Sequence, residues 1–138
     1  MLTELYDYFG HQRFASLLGR TLVEIRGAFE GSEEVVLMTA DKKAYRLHGD
    51  SGYVLDTRLE DIAGNVADLV GTPLLMAQVV SSQAAPSDLK SYGEWESSTW
   101  TYYKLATVKG YVTLRWWANS DGNYCEEVFC SEITTPFF

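Results

Sequence analysis

Along residues 100–108 and 111–117 apolar and polar side chains alternate, with Lys109-Gly110 between the two runs. Aromatic and β-branched residues at alternate positions suit a pleated, half-buried surface, and a glycine in the connection supplies the positive φ of a tight turn, so the pattern predicts a β-hairpin. Trp100 and Tyr102 share one face of the first strand, Tyr103 and Leu105 the other. In the second strand Val112, Leu114 and Trp116 face one way, and Tyr111, Thr113, Arg115 and Trp117 the opposite way. A further turn at 119–123 leads to a third strand from Tyr124, and the resulting meander carries three of the four tryptophans. The core is therefore expected on it, with Trp100, Leu105, Leu114 and Trp116 buried.

The earlier part of the chain is read by the same periodicities. Leu2, Leu5, Tyr6, Phe9, Phe14, Leu17 and Leu18 have helical spacing over 2–18, interrupted near Gly10 and stopped at Gly19. Residues 21–26, 35–39 and 44–48 alternate and predict a first β-meander, with turns at 30–32 and 41–43, and 53–56 is a further short strand. Thr57 and Glu60 have the spacing of a capping box, and Leu59, Ile62, Val66, Leu69 and Val70 fall on one face, which predicts a helix over 58–70. Gly64-Asn65 kinks it and Gly71-Thr72-Pro73 ends it. Residues 74–80 form an apolar run of strand length, and 81–97 is the longest irregular segment. The fold expected is α+β: a single domain over 1–138, mainly antiparallel β-meanders of about six strands, with short helices packed on the sheet.

Composition narrows the function classes. The 138 residues are 46% hydrophobic and 14% aromatic, enough for one core. The formal net charge of −8 disfavours nucleic acid or an anionic membrane as ligand, because phosphate recognition needs the opposite field, and favours a partner with a basic surface. Without a span of about 20 apolar residues or a basic, apolar leader, a cytoplasmic location is expected. Cys125 and Cys130 fall on one predicted strand, about 17 Å apart at 3.3 Å per residue, too far for a disulfide; they are read as free thiols.

Candidate chemistry is sparse. Gly49-Asp50-Ser51-Gly52 after His48 looks like the nucleophile segment of chymotrypsin-like proteases, yet the chain is too short for two barrels and only His11 lies upstream. The same four residues are good turn chemistry. Asp50, Asp56, Glu60, Asp61 and Asp68 do not match the alternating ligands of a calcium loop. No catalytic residue, metal site or cofactor is predicted. The binding residues predicted are Tyr111, Arg115 and Trp117, residue types that dominate binding hot spots and that share one strand face.

Several stretches together resemble a family. Residues 18–23, residues 59–64 with 68–77, and residues 98–112 before Arg115-Trp116 are similar to small tailed-phage proteins catalogued as a domain of unknown function, over about residues 18–130. The resemblance implies phage origin and a compact α+β domain, and supplies no activity. In that family paired cysteines and a glutamate follow the third strand; here the equivalent residues are Gly49-Asp50-Ser51-Gly52-Tyr53-Val54, so a thiol or metal role does not carry over.

The function expected is non-enzymatic: a small acidic phage protein that binds a host or phage macromolecule, one form being an inhibitor of a host defence or regulatory factor. A charge mimic of DNA is a version of this reading. The alternative is a small-molecule-binding protein or enzyme with a pocket between sheet and helices, roofed by 81–97.

Overall fold

The structure, a computed structural model, describes residues 10–49, 56–87, 97–120 and 126–133. Among these, eight strands follow in order: β1 (Leu22–Arg26), β2 (Glu34–Thr39), β3 (Ala44–Gly49), β4 (Asp56–Ala63), β5 (Met76–Ser82), β6 (Ser97–Thr107), β7 (Gly110–Ser120) and β8 (Val128–Ile133). They form two four-stranded sheets, β1-β2-β3-β8 and β4-β7-β6-β5, and every pairing is antiparallel.

The α+β expectation is overturned. Among the described residues helix is confined to 10–15, within the predicted 2–18, and to a 3₁₀ turn, Val66–Leu69, whose first free amide donates to the Asn65 side chain at 3.0 Å. Residues 2–9 lie outside the described residues. The predicted helix over 58–70 is largely strand β4, and Thr57 and Glu60 are buried strand residues instead of a capping box. Its misleading pattern has a local cause. The β4–β7 register shifts between Leu59 and Asp61, so Glu60 is the extra residue of a bulge. The bulge places Leu59 opposite Trp116 and Ile62 opposite Leu114, both against the core. Two core residues three apart in a bulged strand mimic the i, i+3 spacing of a helix.

The β6–β7 hairpin forms as its alternation predicts, in register from Ser97↔Ser120 to Thr107↔Gly110. Gly110, however, has no positive φ; glycine is needed there because a Cβ would meet the Asp68 carboxylate at 2.6 Å. The predicted third strand of this meander is a second correction. β8 leaves the hairpin and pairs with β3 in the other sheet, Leu47↔Cys130 among its partners.

One apolar cluster joins the two layers. From the first sheet come Val35, Leu37, Tyr45, Leu47, Val128 and Cys130; from the second, Leu59, Tyr103, Leu105, Val112, Leu114 and Trp116. Phe14 closes one side, its ring edge-on to Tyr103 with centroids 4.6 Å apart. Strand alternation thus turns one face of each sheet inward and leaves the other for solvent or loops.

Candidate functional site

The outward face of the second sheet holds all three predicted binding residues, and the register sets them in rows across β5, β6, β7 and β4. Met76, Ala106 and Tyr111 form the first row, Gln78, Lys104 and Thr113 the next. Val80, Tyr102, Arg115 and Asp61 form the third; Ser82, Trp100, Trp117 and Arg58 the fourth. Burial rises along the rows. Tyr111 is 49% exposed, whereas Arg115 is 7% and Trp117 only 3% exposed.

The structure therefore separates the three. Arg115 and Trp117 are almost wholly covered. Arg115 donates from Nη2 to Glu60 Oε1 at 2.9 Å and from Nε to the other carboxylate oxygen, and Glu60 has no exposed surface. Trp117 donates its indole N–H to Ser98 Oγ at 3.1 Å and sits opposite Trp100 in the ladder. Sequence spacing could not show this, because the acid that draws Arg115 inward lies 55 positions away on another strand.

Exposed apolar groups gather at the other end. Val108 in the β6–β7 turn and Leu75 just before β5 are exposed there and Met76 is half-buried, while two rows on, Val80 is exposed and Tyr102 half-buried. With Tyr111 they give a partly apolar, aromatic surface that also carries Lys104 and Lys109, with the Asp68 carboxylate against Gly110 and Asp61 in the row of Val80. Aromatic anchors in such a surface supply most of the energy of a protein contact.

Two polar groups escaped sequence reasoning. Glu126 is buried and accepts from Thr99 Oγ1 at 2.7 Å and Ser120 Oγ at 2.6 Å, tying the start of β8's approach to the hairpin. Asn119 is fully buried, and among the described residues neither its amide nitrogen nor its oxygen has a hydrogen-bond partner; Trp100 Nε1 on the same face lacks one among them too. An unmet buried amide costs about 1–3 kcal/mol.

The other candidates disperse. His48 is held by its neighbours, Nδ1 donating to the Gly49 carbonyl at 2.7 Å and Nε2 accepting from Ser131 Oγ at 2.9 Å. Asp56 pairs with Arg58, while Asp68 lies against Gly110, far from Glu60 along the fold's strands. Asp50 and Ser51 lie outside the described residues, as does Cys125. Among the described residues no group of three or more His, Cys, Asp or Glu is placed to hold a metal ion. Nor is any helix among them long and apolar enough to cross a membrane. Cys130, on β8, is a free thiol buried in the core between the sheets, and burial pushes its pKa up to about 12.

Fold and surface together define an antiparallel two-sheet β protein with an apolar, partly aromatic outer face. The family model for a domain of unknown function, DUF7448, matches residues 15–130, and the chain belongs to that family. No curated protein and no solved structure matches it.

Proposed function

We propose that this is a non-enzymatic phage protein that binds a host or phage protein through the Tyr111 end of its second sheet, with inhibition of a host regulatory or defence factor as the biological form. The observation that carries the reading is the exposure of Tyr111 at one end of the sheet face, together with that of Val108 in the turn three residues before it. A rigid ring presented by a paired strand loses little conformational entropy on binding. The net charge of −8 adds long-range attraction for a basic partner, which raises the encounter rate and is weakened by salt.

The test is capture from a bacterial lysate followed by binding of the purified candidate to wild type and to Tyr111→Ala. Loss of a desolvated aromatic anchor should weaken binding by about 2 kcal/mol, roughly 30-fold. Equal affinity of the two proteins counts against the site. A second reading, small-molecule binding, is favoured by the Asn119 amide near Trp100, which has no partner among the described residues. A ligand serving that amide would raise the melting temperature of wild type and leave Asn119→Leu unmoved.

A further inference from the structure

Among the described residues the four sheet edges are treated differently, and one of them is left open. β1 is irregular at Leu22/Glu24, carries Glu24 and Arg26, and is bridged at its start by Val70 and Pro73. β4 has four charged residues and exchanges hydrogen bonds with the 31–32 turn, Gly31 N to Leu59 O and Leu59 N to Ser32 O, both 2.7 Å. β8 is approached by the helical residues, Arg13 donating to the Cys130 carbonyl at 2.7 Å. These are the usual means by which a protein prevents edge-to-edge pairing.

β5 has none of them. Its sequence, Met-Ala-Gln-Val-Val-Ser-Ser, makes it the one strand of the eight without Asp, Glu, Lys or Arg. Among the described residues cover reaches only as far as Leu74, which exchanges two 2.8 Å backbone bonds with Gly19 and Arg20. From Met76 to Ser82 the backbone bonds among the described residues go to β6 alone, and Gln78, Val80 and Ser81 are exposed. Alternate residues of such an edge point their N–H and C=O outward.

We propose that β5 pairs antiparallel with β5 of a second copy of this chain, joining two second sheets into one eight-stranded sheet. The charge pattern selects this occupant. Two chains of net charge −8 repel, so self-association needs a contact where no like charges face each other, and β5 is that contact. A basic peptide would find no carboxylate on the strand, and Lys104 stands beside Gln78 on β6. With the two-fold axis at Val79, Gln78 of each copy faces Val80 of the other. The inference does not rest on the Tyr111 reading, although Val80 belongs to both surfaces and pairing would set two Tyr111 surfaces on one continuous face.

The experiment is sedimentation velocity of the full chain from roughly 10 µM to 1 mM, a range suited to a small interface. Wild type should move from 15.5 kDa toward twice that mass, more readily at high salt, the opposite salt response to capture of a basic partner. Gln78→Glu/Val80→Glu should stay monomeric with an unchanged β spectrum, and mixing it with Gln78→Lys/Val80→Lys should restore the dimer mass. If the acidic variant unfolds, Val80→Lys alone is read the same way. A wild type that stays monomeric overturns the proposal, whether its β5 amides are protected by another segment of the chain or only by an added peptide. So does a dimer indifferent to these charges.

Discussion

Arg115 meets Glu60 across the β4–β7 pairing with two charge-assisted hydrogen bonds, and the acid's side chain is wholly removed from solvent. The bulge at Glu60 makes the meeting possible, since it adds one residue to β4 where β7 has none. Removing one partner leaves an uncompensated buried charge, which costs about 3–5 kcal/mol. Arg115→Met is therefore expected to lower the free energy of unfolding by that amount. Glu60→Leu combined with Arg115→Met should recover much of it, because an apolar pair carries no desolvation penalty. Urea denaturation of the two single variants and the double variant gives the coupling; additive losses would show that the two side chains act separately.

How much of this was legible in the sequence depends on the distance over which each feature is set. The β6–β7 hairpin is local, and its two faces follow from alternation alone, down to the burial of Leu105, Leu114 and Trp116 on the inward one; Trp100 is buried as expected but on the outward face. β4 was misread because a bulge breaks the period of two, so that Leu59 and Ile62 copied helical spacing. The partner of β8 could not be read either, since nothing near Cys130 specifies β3 over β7. The burial of Arg115 and Trp117 could not be read for the same reason: Glu60 and Ser98 are brought to them by sheet register, not by neighbouring sequence.

The two ends of the outer face should separate stability from recognition. Trp117→Ala removes a ring that is 3% exposed and is expected to cost about 3–5 kcal/mol, whereas Tyr111→Ala should stay within about 0.5 kcal/mol of wild type. Thermal or urea unfolding of both variants checks this. A stable Trp117→Ala protein would mean that the indole does not pack as described.

Gly64, after β4, has φ +101°, and a Cβ there would collide with the Tyr111 carbonyl oxygen. Both the backbone conformation and the close approach exclude a side chain. Gly64→Ala is expected to destabilise by about 2 kcal/mol. Gly31→Ala, equally left-handed at φ +90° but with open space around it, should cost less. Equal losses at the two positions would assign the whole effect to backbone conformation and none to the contact with Tyr111.

Cys130 gives the fold a definite response to alkali. Its thiol, pushed up to about 12 by burial, stays protonated in the folded chain well above the value of about 8.5 usual for an unfolded one. Between those two values unfolding releases a proton that the folded state retains. The contribution is therefore complete below about pH 8.5 and is lost progressively as pH rises toward 12. Tyr45, also raised by burial, acts in the same direction above its ordinary value of 10.0. Urea midpoints should hold steady from pH 7 to about 8.5 and fall beyond it, and Cys130→Ala should fall less steeply with pH while keeping the Tyr45 component. Under native conditions at neutral pH the thiol should resist a thiol reagent, and denaturant should release it. Parallel pH profiles for wild type and Cys130→Ala, or rapid labelling of Cys130 in the native protein, would place the sulfur in water instead of between the sheets.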